Sequence, residues 1–162
     1  MKSKLYLTVL ILLAALLALS ACGSKAPTKV VVAMDATYPP FEELDAGTNQ
    51  IVGFDVDLIK AIAEKENLEL ELVDVRWDAL LEGMGKCQYD AAISAMTINE
   101  ERKKSFNFTD PYFAAGQVVT VQSSNTEITG KDALAGKKIG VQQTTMGEIE
   151  AQKIPNAVVV PN

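Results

Sequence analysis

Histidine is absent from all 162 residues, which removes the imidazole on which Ser-His and Cys-His nucleophilic centres depend. Cysteine is almost as scarce. Only Cys22 and Cys87 occur, far apart, so the closely spaced thiolates of a zinc site are missing and neither a metal nor a cofactor is expected. Basic side chains number 15 against 21 acidic ones, a net charge of −6. That balance offers no cationic surface to displace counterions from phosphates, so nucleic acid is not an expected partner. Long apolar runs are also missing after residue 21, which leaves the N-terminus as the one segment with a claim on a membrane.

Lys2 and Lys4 supply positive charge, Leu5 to Ala21 is an apolar run of 17 residues, and Leu19-Ser20-Ala21-Cys22 closes it. This order of charge, apolar stretch and small residues is that of a secretory signal, assigned here to residues 1–21. A retained anchor helix is the competing assignment, but the run is short for a span and lacks a basic stop-transfer flank. Leu19-Ser20-Ala21-Cys22 resembles a bacterial lipobox, which implies acylation of Cys22 and attachment to the outer face of a cell membrane. Residues 22–29 are then a short polar tether between lipid and domain. Cleavage leaves 141 residues with 13 basic and 21 acidic side chains, a net charge of −8 that suits cationic ligands. With Cys22 acylated, no disulfide forms within the chain.

From Val30 onward, short β-branched runs alternate with helical periodicity, the pattern of an α/β fold with a largely parallel sheet. Val30 to Met34 reads as a buried strand, followed by a loop around Pro39, Pro40 and Asp45-Ala46-Gly47. Leu58, Ile59, Ile62 and Ala63 form one helical face, with Asp55 as the expected N-cap. Glu69 to Val75 alternates as a strand, and Trp77, Leu80, Leu81 and Met84 mark a second helix ending near Gly85. Asp90 to Ile93 is a third strand, and Asn99 caps a short helix with acids first and bases last. Phe106 to Thr109 and Gln117 to Gln122 read as extended pieces, the latter leaving a first lobe of residues 30–116. Residues 117–162 restart the grammar in miniature: a strand at Ile139 to Val141, a helix over Thr145 to Lys153 and a strand at Ala157 to Val160. Two strands leave little apolar area and open edges, so the second lobe is expected to be incomplete and the chain a fragment.

Four stretches, taken in order, resemble the amino-acid-binding family 3 of extracellular solute-binding proteins that serve ABC importers. They are Met34 to Glu42, Gly53 to Ala63, Tyr89 to Phe113 and Gly136 to Glu148. The resemblance implies a type II periplasmic-binding-protein fold, with two α/β lobes joined by a hinge around a ligand cleft. It further implies that Arg102 forks onto the ligand's α-carboxylate and that Ser94, Ala95 and Thr97 lie on the loop contacting it. A guanidinium is the side chain whose planar fork matches a carboxylate, so the chemistry agrees. Absent the resemblance, Arg102 reads as one member of a solvated Glu-Glu-Arg-Lys-Lys run.

By the same resemblance, Tyr38 and Trp77 wall the ligand side chain, with core packing as the competing role for Trp77. Asp35 matches an acidic position that accepts from the ligand side chain and favours a polar or basic amino acid; its simpler reading is a local turn. The relatives' Gly-Thr-Thr is replaced here by Thr144, Thr145 and Met146, so a thioether stands where a hydroxyl reached the carboxylate, with Thr145 as the nearest substitute. The relatives' acidic partner for the α-ammonium lies beyond Asn162. Besides a receptor that hands its amino acid to permease subunits, two alternatives share the fold: an enzyme like cyclohexadienyl dehydratase, whose acid and base would have to be Asp35 and Glu42, and an extracellular sensor lobe.

Overall fold

The computed structural model describes residues 26–162; the signal segment, Cys22 and the start of the tether lie outside the described residues. β1 (Thr28–Met34) is the central strand, parallel to β5 (Leu68–Asp74) on one edge and to β6 (Ala91–Ala92) on the other. It begins two residues earlier than its apolar run, so Thr28 and Lys29 belong to the sheet rather than the tether. Burial deepens along β1 until Ala33 and Met34 are fully covered. Val32, Met34, Val56 and Ile93 form the core beneath it. The apolar end of the strand is therefore also the end that leads into the site.

The loop around the paired prolines contains a small antiparallel sheet, β2 (Thr37–Tyr38), β3 (Glu42–Leu44) and β4 (Ile51–Val52). It feeds α1 (Phe54–Lys65), whose start differs from the expected one. Gly53, not Asp55, occupies the N-cap with φ 131°, a backbone conformation that favours glycine. The first amides of α1 are satisfied by main-chain carbonyls, Phe54 N–H donating to Pro40 O (3.0 Å) and Asp55 N–H to Phe41 O (2.9 Å). That frees the Asp55 carboxylate, which is wholly buried, for another task. The buried stripe of α1 runs through Asp55, Val56 and Ala63 with Leu58 and Ile59 against the core, while Ile62 is exposed.

α2 (Trp77–Gly85) follows its expected boundaries and buries Trp77, Leu80 and Gly83. Gly83 has no room for a side chain, because a Cβ there would sit 2.3 Å from the Tyr89 ring. Arg102–Lys104 is a single 3-10 turn whose N-cap is Glu101 rather than the expected Asn99, although Asn99 Oδ1 accepts from Arg102 N–H (2.7 Å). Phe106 to Thr109 and Gln117 to Gln122 form no strands, since no described strand offers them ladder bonds; Val118, Val119 and Val121 are exposed. The second unit pairs β7 (Lys138–Val141) with β8 (Val158–Pro161) in parallel, and α3 (Met146–Gln152) packs on both. Its buried apolar residues are Leu134 and Ala151.

Candidate functional site

Parallel strands collect ligand-facing groups beyond their carboxyl ends, because successive strands deliver loops to the same edge of the sheet. That rule holds at three strands here. Asp35 follows β1, Ser94 lies two residues after β6, and Gln142 follows β7 of the second unit. The three converge on a cavity of about 220 Å3 between the two units. All eight residues singled out from the sequence line it: Asp35, Tyr38, Trp77, Ser94, Ala95, Thr97, Arg102 and Thr145. Glu42, Gln117, Gln142 and Met146 line it as well. Gln142 was legible from its place at a strand's carboxyl end, whereas Gln117 carries no local signal.

Arg102 is half-buried and spans the cleft. Its Nη1–H donates to Thr97 O (2.8 Å) on its own side and its Nη2–H to Thr144 O (3.1 Å) on the other, while its guanidinium carbon lies 5.4 Å from the Trp77 ring centroid. Burial lowers the guanidinium pKa from its ordinary value, yet a guanidinium remains charged in proteins. Two of its five N–H donors are committed to carbonyls, and the others are available to an anion in the cavity. The flanking lysines differ: Lys103 pairs with Glu100 (2.8 Å) and Lys104 with Glu101 (2.5 Å) on the exposed face. The charge run thus splits into one cleft residue and two solvated pairs.

Asp35 is buried and bridges the units. Its Oδ2 accepts from Gln142 Nε2 (3.2 Å) and its Oδ1 from Thr37 Oγ1 (2.8 Å), so a local bond and a bond across the cleft coexist. Ser94 Oγ accepts from Asp35 N–H (3.1 Å) and donates to Glu42 Oε1 (2.6 Å). The next residue, Ala95, is held at φ 44°, an uncommon conformation for a side chain with a Cβ. Its amide is pinned by two acceptors, Asp55 Oδ2 (2.9 Å) and Tyr112 Oη (3.0 Å), and Tyr112 Oη–H itself donates to Asp55 Oδ2 (2.8 Å). Burial, then donation to Asp55, hold the Tyr112 phenol above its ordinary pKa.

Trp77 is 8 % exposed, as core packing requires, and also borders the cavity. Tyr38 is 58 % exposed and stacks on Phe41 at 5.9 Å between centroids. Thr145 caps α3: its Oγ1–H donates to Gln142 O (2.8 Å) while its oxygen accepts from Glu148 N–H (3.4 Å). Its hydroxyl proton is therefore committed to the loop. Met146 Sδ accepts from Asn99 Nδ2 (3.1 Å), which ties the second unit to the Arg102 turn.

Residues 30–157 match the family model of bacterial extracellular solute-binding proteins, family 3. The chain is 41 % identical over 135 residues to ABC transporter arginine-binding protein 1 of Escherichia coli (strain K12), covering 83 % of this chain and 54 % of that protein. It is 36 % identical over 148 residues to a probable histidine-binding protein of Neisseria gonorrhoeae, covering 85 % and 55 % respectively. Among solved structures, an arginine-bound ArgBP from T. maritima carrying a Gly52Ala mutation superposes with a TM-score of 0.77 at 41 % identity, over 83 % of this chain and 63 % of that one. An ancestral arginine-binding protein bound to arginine gives 0.79 at 36 % identity, over 85 % and 62 %. The chain spans about half the length of the curated relatives it matches. Its fold is that of the type II periplasmic binding proteins, and the chain belongs to family 3 of the bacterial extracellular solute-binding proteins.

Proposed function

We propose that this chain is the ligand-capturing part of a receptor for an ABC importer and that its ligand is a cationic amino acid, with arginine first. The observation that carries this reading is a cavity that presents both a charged guanidinium and a buried carboxylate, Arg102 on one loop and Asp35 on another. An α-amino acid with a basic side chain offers the complementary pair: a carboxylate for the fork and a cation for Asp35. The names of the relatives support the choice, since they include arginine-, histidine- and cystine-binding proteins.

In this reading Gln142 holds Asp35 until the ligand's cationic group takes its place, and Trp77 and Tyr38 flank the side chain. Titration calorimetry of the chain with arginine, lysine, histidine, glutamine, leucine and glutamate tests it. Preference for leucine or glutamate refutes the ligand class. Attachment to the membrane through acylated Cys22 belongs to the same proposal, with permease subunits as the onward partner. Replacing Cys22 by Ser in the native host then releases the protein from washed membranes, and persistent association argues for an uncleaved helix instead.

A further inference from the structure

Two buried carboxyl groups hold the anchor loop, and their hydrogen bonds do not balance if both are ionised. Glu42 and Asp55 are each fully buried. Glu42 Oε1 accepts from Ser94 Oγ–H, and Asp55 Oδ2 accepts from Ala95 N–H and Tyr112 Oη–H. Glu42 Oε2 and Asp55 Oδ1 are left with no donor, although the two buried side chains are bonded to the adjacent residues Ser94 and Ala95 and so lie side by side in the same interior. An unpaired buried carboxylate oxygen is costly, and two facing each other with like charge are costlier. One proton between them removes both deficits at once.

We propose that Glu42 is a neutral carboxylic acid that donates its Oε2 proton to Asp55 Oδ1, and that this shared proton is a positioning device for the Ser94-Ala95 loop on which ligand capture depends. With the proton in place, every oxygen of the pair is used: Glu42 Oε1 takes the Ser94 hydroxyl, and Asp55 receives Ala95 N–H, Tyr112 Oη–H and Glu42 Oε2–H. Asp55 in turn holds Ala95 at its positive φ, and Ser94 positions the amide of Asp35. The loop geometry is therefore set by the carboxyl pair, Glu42 at the cavity wall and Asp55 beneath the Ala95 amide.

The titratable groups facing Glu42 are Asp55 of α1, Asp35 after β1, and Tyr112 through Asp55. None of them supplies a cation, and the bonds that fix Arg102, which lines the same cavity, run to Thr97 O and Thr144 O rather than to Glu42. Burial first, then the neighbouring carboxyls against the opposing Ser94 bond, push the Glu42 pKa up to about 8. The sign follows: an acid whose folded-state pKa is raised weakens folding as pH rises from about 4.5 to about 8, and has no further effect above that window. Above it the pair carries two charges and the loop loses its backing.

The effect on ligand capture rests on the proposed function; the protonation state does not, so the two are tested by separate readouts on the full chain. Difference infrared spectroscopy at neutral pH is expected to show the carbonyl stretch of a buried carboxylic acid, absent in Glu42→Gln, whose amide can replace the donor without titrating. The melting temperature of the unliganded wild type is expected to fall across the same pH window, with that fall abolished in Glu42→Gln. Affinity for arginine is expected to decline above the window by up to about tenfold per pH unit. The Glu42→Gln profile retains only the titration of the ligand itself.

Asp55→Asn keeps the test decisive should Glu42→Gln fail to fold, because its amide can donate to an ionised Glu42 and is expected to erase the carboxylic-acid band. A missing band in wild type, or a band that survives Glu42→Gln or Asp55→Asn, overturns the shared proton. A wild-type chain that shows the band but binds no arginine refutes the ligand reading and leaves the shared proton standing. Binding whose pH profile is identical in wild type and Glu42→Gln refutes the positioning role alone.

Discussion

Arg102→Ala is the substitution with the largest expected consequence for binding. In the proposed complex the guanidinium and the ligand carboxylate are partly desolvated partners, and removing one strands the other at a cost of about 2–5 kcal/mol. That corresponds to roughly 30-fold to several thousand-fold in Kd. The structure adds a second loss. The same side chain ties Thr97 O to Thr144 O and lies over Trp77, so the mutant also loses a brace between the two units before any ligand arrives.

Arg102→Lys recovers part of the charge but not the fork, because an ammonium is a point charge on a flexible stem that cannot donate to two carbonyls and a carboxylate in one plane. Lys103→Ala is the internal control. Its partner Glu100 is exposed, and surface pairs at this spacing contribute about 0.5 kcal/mol or less. Calorimetric titration with arginine, after circular dichroism has verified the fold of each variant, should rank the losses Arg102→Ala, then Arg102→Lys, then a negligible change at Lys103. Equal small losses at all three positions would return Arg102 to the solvated run and remove the main chemical support for the binding site.

Two further predictions concern backbone positions that shape the cleft. Gly53→Ala places a Cβ 2.3 Å from Phe41 O at a φ of +131°, so α1 has to separate from the 40–42 segment; a stability loss of about 2–4 kcal/mol in urea melts is expected, and a loss under about 1 kcal/mol refutes the close approach. Thr144→Gly relieves a β-branched residue at φ 59° and is expected to stabilise the chain by about 0.5–1 kcal/mol in the same assay; destabilisation would show that the Thr144 hydroxyl, which donates to Gln143 O, outweighs the strain.

The helical and strand periods were written in local order, which is why β1, β5, α2, β7 and α3 lie close to where the pattern of apolar residues places them. The same is true of the site's outline. Loops after parallel strands meet at one edge, and three of the four segments carrying the family resemblance line the cavity there, joined by Trp77 and Gln117 from outside them. Where a segment's state depends on a distant partner, local pattern failed. Phe106 to Thr109 and Gln117 to Gln122 have the composition of strands but no described neighbour to supply a ladder, and Ile62 follows the helical period yet faces solvent.

Asp55 shows the division most clearly. Its position before an apolar helical face read as a cap, but the carbonyls of Pro40 and Phe41 took that role, and the carboxylate turned inward to Ala95 and Tyr112, 40 and 57 residues away. The bond between Asp35 and Gln142 spans 107 residues, and that between Ser94 and Glu42 spans 52. The sequence by itself determined which residue types stand at the loops that line the cavity. The tertiary structure alone decided which of its carboxyl groups are desolvated against one another, because hydrogen-bond accounting and burial are properties of the assembled neighbourhood and not of any stretch of chain.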